Sequence, residues 1–231
     1  MSAASAKSLF RATKPKTKPH PAQLLMGDLP EQRKPDAGRD PLDYDPTPPD
    51  ATEAFLAAEA DHMRAHGNLI WENAVGAGHM ARVFQAHGFD VTGTDLVDRG
   101  WPGVRLGSFY DFGKALAPIN VTNPPYCEIN ARDGHGRWLF HSFDLGLPYI
   151  ALLLNADWCA ARINGMDRIF EENPPSVEYL CCWKIDFRGG GSPPQRNSFF
   201  VWDVNRPPSA PNEWRRVRLY RDKHRGQGTL L

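Results

Sequence analysis

Cysteine is scarce in this chain. Four occur in 231 residues, Cys127, Cys159, Cys181 and Cys182, and no two have C-x-x-C spacing. Cys181 and Cys182 are adjacent on an expected strand and so point to opposite faces. That usage excludes a disulfide or zinc framework as the organising principle and fits a reduced, cytoplasmic protein without a metal. Long apolar runs are also missing. The longest, "LPYIALLLNADW", is shorter than a membrane span and meets Asp157, so no membrane partner is expected. The first residues lack the apolar core of a secretory signal, and their prolines disfavour the amphipathic helix of a transit peptide. A full dinucleotide fingerprint is missing too. Gly76 and Gly78 form a G-x-G, but Ala81 stands where G-x-G-x-x-G needs its third glycine, which argues against a standard nicotinamide dehydrogenase.

Net charge is absent only on average. Residues 1–40 carry eight Lys/Arg against four Asp/Glu, residues 206–231 seven against two, and residues 41–205 twelve against twenty-one. Basic ends on an acidic centre serve either as solubilising tails or as arms for a polyanion. Hydrophobic content of 41% and charged content of 23% suit a soluble globular protein. Residues 1–42 are basic and proline-rich with too few apolar groups to offset ordering, so they read as a disordered arm. Residues 43–205 read as the folded domain and 206–231 as a basic tail.

Within the domain, Asp50 followed by Glu53 resembles a capping box opening a helix that Gly67 stops. Strands are then expected at "NLIWE", "FDVTGTD", "GVRLGS", "PINVTN" and "PYIALLLN", and helices at "HMARVFQAHG", "GRWLFHSFDLG" and "CAARINGMDRIFEE". Two late strands follow, "SVEYLCCWKIDF" and "NSFFVWDV", with the turn-rich "RGGGSPPQRN" between them. This alternation predicts an α/β fold: a mostly parallel sheet with helices on both faces and a C-terminal antiparallel hairpin. Such sheets bind ligands at the carboxyl ends of their strands, where Glu72, Asp95, Asn123 and Asp157 fall.

The small residues Gly76-Ala77-Gly78 let the backbone approach a ligand at a helix N-terminus, although a tight βα turn alone needs them as well. Asp95, one βα unit later, can accept both ribose hydroxyls of an adenosine, or act as a cap or a solvated acid. Asp111 can accept from an adenine amine with Phe112 beside the ring, or be a loop acid next to a core aromatic. Asn123-Pro124-Pro125-Tyr126 ends the fourth strand, because two successive prolines cannot donate to a ladder.

In that order these features resemble amino-methyltransferases that use S-adenosylmethionine. "DPTPPDATEAFL" is similar to the Thr-Pro-Pro segment of adenine (N6) DNA methyltransferases of the gamma motif order, and "ENAVGAG" to their cofactor loop. Small enzymes of phages and prophages resemble the chain most, over about residues 44–204. The resemblance implies a Rossmann-like class I methyltransferase fold. It places Thr47 and Pro48 at the methionine end of the cofactor, Glu72 near its ammonium, and Gly76 and Gly78 beneath it. Asp95 would hold the ribose, with Leu96 counted beside it, and Asp111 the adenine amine, with Phe112. Ala74 stands where many methyltransferases have the first glycine of the loop.

The resemblance gives Asn123, Pro124, Pro125 and Tyr126 the substrate amine. An exocyclic amine is a poor nucleophile because its lone pair is delocalised. An amide oxygen and a main-chain carbonyl that accept its hydrogens free that pair, and Tyr126 offers a stacking face. A base in duplex DNA must be flipped to reach such a pocket. Phe187 is read as the opposite wall or as core, and Arg188, Arg196 and the basic tail as phosphate contacts or solvated charge. Gamma-type DNA enzymes carry a sizeable recognition domain, for which the residues after Val204 leave no room. Recognition is therefore expected to be weak, to rest on residues 188–197, or to come from a partner. A glutamine amide in a protein, a base in RNA, or a non-catalytic cofactor- or nucleic-acid-binding role are the alternatives to DNA adenine.

Overall fold

The apolar runs read in the sequence become strands of one sheet. The computed structural model describes residues 44–130, 135–160, 166–191, 193 and 195–221. These belong to one compact unit. The anticipated arm, 1–42, lies outside the described residues, as does the end of the basic tail, 222–231.

The strands are β1 (Leu69–Glu72), β2 (Asp90–Asp95), β3 (Arg105–Leu106), β4 (Ile119–Thr122), β5 (Tyr149–Asn155), β6 (Val177–Cys181), β7 (Asn197–Asp203) and β8 (Arg215–Leu219). The helices are α1 (Pro49–Arg64), α2 (His79–Ala86), α3 (Arg137–Asp144) and α4 (Met166–Glu172). The sheet order is β3-β2-β1-β4-β5-β7-β6-β8. Strands β1 to β5 are mutually parallel, and β7 enters antiparallel between β5 and β6. The mostly parallel α/β sheet and its late antiparallel hairpin are as the alternation predicts.

Strand periodicity divides the core in two. Tyr149, Ala151 and Leu153 of β5 join one cluster with Ile119 and Val121 of β4, beneath α1 and α2. Ile150, Leu152 and Leu154 join the other, beneath α3 and α4. Six successive buried residues mark β5 as central, covered on both faces. On the first face Phe55 of α1 stacks on Phe199 of β7, with centroids 4.3 Å apart. On the second Trp158 meets Phe200 edge-on at 5.4 Å. Each such buried side chain contributes about 1.5–3 kcal/mol.

Three local expectations change. Helix α1 starts at Pro49 with no side-chain cap, and Asp50 lies inside its first turn. Proline suits that first position because its missing N–H has no partner to lose there. Of the helix expected over 159–172, Met166–Glu172 is α-helical and Ala156–Ala160 is a 3₁₀ turn. Residues 161–165 lie outside the described ones. Strand β6 stops at Cys181, well short of Phe187. Asp186 takes the N–H groups of Arg188, Gly190 and Gly191, which turns the chain away from the ladder.

Residues 215–219, read as tail, form edge strand β8, parallel to β6. Arg216 pairs there with the fully buried Glu178, at 2.8 Å. No helix among the described residues is long and apolar enough to cross a membrane.

Candidate functional site

Because β1, β2, β3, β4 and β5 run in parallel, their carboxyl ends share one edge. Glu72, Asp95 and Thr122-Asn123 lie along it. Strand β6 is antiparallel to β7, which is antiparallel to β5, so β6 also ends on this edge and delivers Phe187 and Arg188 there. Arg196 precedes β7 at the same edge, and its carbonyl accepts the Ala156 N–H at 2.9 Å.

Gly76 and Gly78 adopt left-handed φ values of 54° and 78° in the β1–α2 turn. A β-carbon on Gly76 would run into the Tyr44 ring, and one on Gly78 into the indole of Trp101. The turn is thus glycine-rich for packing as well as for conformation. We expect Gly78→Ala to destabilise the protein by about 2 kcal/mol or more, since clash and positive φ act together. Relief of that loss by Trp101→Ala in a thermal unfolding comparison checks the assignment to the indole.

Asp95 is tied into this turn. One carboxylate oxygen accepts the Gly76 N–H at 2.7 Å, and the other accepts the Val97 N–H at 3.0 Å. Each oxygen has a second lone pair, so acceptor capacity for a pair of hydroxyls remains. Glu72 is buried, and one of its oxygens has no partner. Burial, then the nearby Asp95 carboxylate, pushes its pKa well above the ordinary range. The Ala81 main chain and Arg82 oppose this only in part. An acid so placed favours a cation beside it.

Asn123 follows directly on β4. Its amide NH₂ donates to the Asp45 carbonyl at 3.3 Å and to the Thr47 hydroxyl at 3.2 Å. Both amide hydrogens are thereby engaged, and Oδ1 is buried without a partner. Pro124 is buried, and Pro125 leads into the 3₁₀ turn Tyr126–Glu128. That turn is anchored from behind. Tyr110 donates to Glu128 at 2.7 Å, Arg137 grips the same carboxylate with two nitrogens, and Trp158 Nε1 donates to the Ile129 carbonyl at 3.0 Å. Tyr126 Oη accepts from Asn197 Nδ2 at 2.9 Å.

The other anticipated residues are less uniform. Thr47 is buried, with its hydroxyl on Asn123, and Pro48 flanks the start of α1. Ala74 is half-buried against the second core, and Leu96 is 62% exposed. Asp111 accepts the Ser108 N–H at 3.0 Å and closes a capping box on the turn Phe109–Asp111. Phe112 is buried, edge-on to Trp71 at 5.3 Å, so its ring is part of the core. Phe187 packs against the first core, and Arg188 forms an ion pair with Asp45 at 3.1 Å. Arg196 is exposed.

Residues that the sequence reading did not single out complete the edge. Asn73, Thr122 and Asn197 are buried and, with Glu72 and Asn123, carry side-chain atoms without partners among the described residues. Buried polar atoms are seldom left so, and a cluster of them at strand ends marks a place built for a polar ligand. Tyr44 lies over the glycine turn, and its hydroxyl accepts the Ala77 N–H at 3.3 Å. The only sequence signal for these residues was position: Asn73 adjoins Glu72, and Thr122 adjoins Asn123.

No protein-family model matches the sequence, and no curated protein matches it. Solved structures do match the fold. A candidate RNA methyltransferase of Pyrococcus horikoshii superposes with a TM-score of 0.54 at 13% identity, over 77% of this chain and 93% of that one. A candidate class I S-adenosylmethionine-dependent methyltransferase of Listeria monocytogenes gives 0.50 at 12%, over 79% and 68%. The modification subunit of a candidate type I restriction enzyme from Vibrio vulnificus gives 0.51 at 12%, over 80% and 48%. The chain has the Rossmann-like fold of class I methyltransferase structures.

Proposed function

We propose that the protein is an S-adenosylmethionine-dependent methyltransferase acting on an exocyclic amine, in the first place N6 of adenine in DNA. The observation that carries this reading is Asn123. Its NH₂ is committed to Asp45 and Thr47, so the amide orientation is fixed and a buried, unpartnered oxygen is left to accept. An amine nucleophile that must shed its delocalisation needs such an acceptor.

The residues present fit the cofactor. Glu72 offers a buried carboxyl with a spare oxygen for an ammonium. Asp95 retains acceptor capacity for ribose hydroxyls, and Gly76 and Gly78 carry no side chains of their own, so the Tyr44 ring over the turn sets how closely a ligand approaches. Thr47, Pro48, Ala74 and Leu96 border this region, and Asp111 offers its second carboxylate oxygen to an adenine amine. When bound, the cofactor supplies an electrophilic methyl group. The chain's own part is positional. Asn123 Oδ1 accepts one amine hydrogen and the Pro124 carbonyl the other, and the proline pair limits the directions that carbonyl can take. Tyr126, its hydroxyl held by Asn197, offers a face to the base, with Phe187 as the opposing wall. Arg188 and Arg196 stand at the rim for phosphate. Alignment of nucleophile and methyl then supplies much of the rate.

The V. vulnificus neighbour is a modification subunit of a restriction enzyme, in keeping with DNA, whereas the P. horikoshii one is described for RNA. Incubation with methyl-labelled cofactor and DNA, RNA or a translation release factor separates the substrates. Label in N6-methyladenine of DNA is the expected result. Label on protein alone, at a glutamine amide, would overturn the DNA reading, and absence of cofactor binding in calorimetry would overturn the enzyme.

A further inference from the structure

Two arginines far apart in sequence are each paired with an acid of one short segment, residues 45–50, and that segment also holds Asn123. Arg188, just beyond β6, places Nε 3.1 Å from a carboxylate oxygen of Asp45. Arg221, just beyond β8, places Nη1 3.4 Å from a carboxylate oxygen of Asp50. Between these two acids lies Thr47, whose hydroxyl holds the Asn123 amide, and Asp45 gives the same amide its main-chain carbonyl.

Strand direction explains the arrangement. Strand β8 pairs in parallel with β6, from Val177 with Arg215 to Cys181 with Leu219. The chain therefore leaves β8 on the edge that carries Asn123. An antiparallel β8 would have carried Arg221 to the far side.

Both ion pairs are weakly held. Their side chains are 48% and 27% exposed for Arg188–Asp45, and 40% and 39% for Arg221–Asp50. Pairs of this exposure stabilise a fold by only about 0–1 kcal/mol, so another anion can replace the carboxylate at little cost. Arg221 also has a buried Nε–H with no acceptor, and its guanidinium lies 5.7 Å from the Trp183 ring centroid. The fork is thus oriented by an aromatic face with donor capacity unused. From Trp214 to Arg221 the chain carries four arginines and no acid, and Arg215 and Arg218 are exposed. Arg218 lies against Tyr220, at 5.2 Å.

We propose that Arg188 and Arg221 form a two-point clamp for the phosphodiester backbone of the substrate strand. Asp45 and Asp50 hold the two guanidinium groups in place until phosphate displaces them. The nucleic-acid class of the substrate rests on the function proposed above, but the clamp makes its own demand. Two phosphates of the strand are engaged on one side of Asn123, because β6 and β8 both lie beyond β5 and β7 from β4. Exchange at Arg188 also frees the Asp45 carboxylate in the same residue whose carbonyl anchors the catalytic amide, so backbone engagement and amide placement share one residue.

The test is the salt dependence of oligonucleotide binding, read by fluorescence anisotropy with labelled duplex DNA, single-stranded DNA and RNA. Each phosphate contact adds about 0.9 to the slope of log affinity against log salt for duplex DNA, and about 0.7 for single strands. The double variant Arg188→Gln/Arg221→Gln is expected to lower the slope by nearly two contacts. Arg64→Gln, at the C-terminal end of α1 on the opposite edge, should leave it unchanged. Asp50→Asn, which removes a competing carboxylate, should tighten binding several-fold. Cofactor affinity, measured separately by calorimetry, should be the same in all. An unchanged slope in the double variant overturns the clamp, as does a wild-type protein that binds none of the three nucleic acids at about 50 mM salt. Loss of cofactor binding in the wild type would instead overturn the methyltransferase reading, because the slope is measured without cofactor.

Discussion

Asn123→Ala is expected to lower methyl transfer by about 10²–10³-fold, the range seen when one preorganised polar contact to a reacting group is removed. Affinity for the cofactor should change much less than turnover: Asn123 reaches the cofactor region through Thr47, and none of its side-chain hydrogen bonds among the described residues goes to the glycine turn. Stability should also change little. The substitution loses two ordinary hydrogen bonds but removes a buried oxygen that has no partner, and these terms offset. A large loss of turnover with an unmoved melting temperature separates a functional group from a packing group. Asn123→Asp should fall between. It keeps an acceptor, but it sets an oxygen against the Asp45 carbonyl where a nitrogen now donates at 3.3 Å. Single-turnover methylation of an adenine-containing oligonucleotide, calorimetry of cofactor binding and thermal unfolding check these four statements. Unchanged turnover in Asn123→Ala would remove the catalytic assignment.

Glu72→Gln should weaken cofactor binding by about 10–100-fold, the loss of one charge-assisted hydrogen bond at a buried site. It should also abolish a proton signature. In the free protein, burial and Asp95 hold the Glu72 pKa well above the ordinary carboxyl range. A bound ammonium favours the carboxylate and draws that pKa down, so binding releases a proton at pH values between the two. Calorimetry in two buffers of different ionisation enthalpy should show this release in the wild type and not in Glu72→Gln. The sign for folding follows from the same raised pKa. Such a carboxyl binds its proton more tightly folded than unfolded. Its contribution to stability is full below the unfolded pKa and is lost as pH rises through the folded value. Glu72→Gln should therefore gain stability relative to wild type as pH increases. Equal cofactor affinity and equal buffer dependence in the two proteins would remove Glu72 from the site.

What could be read from sequence follows from how local each signal is. Strand β5 declares itself by an unbroken apolar run, and the β1–α2 turn by glycines that its own φ values demand. The Asn123 loop is visible because a proline pair ends a strand wherever it occurs. Strand β8 was hidden, since "RRVRL" has only two apolar residues and reads as tail. Its strand character comes from pairing with β6 and from Glu178 receiving Arg216, both tertiary facts. Phe112 shows the converse: an aromatic next to a candidate binding acid turned out to face Trp71 in the core. Asn197 and Tyr44 are absent from any local pattern because their partners, Tyr126 and Ala77, are 71 and 33 positions away.

The parallel course of β8 has a practical consequence for handling the protein. An affinity tag or dye joined shortly after that strand is attached at the edge bearing Asn123 and risks shielding it from large substrates. Gly146, in the turn between α3 and β5 on the reverse edge, is exposed with open space around it. A label inserted there should report on the protein without touching its working side.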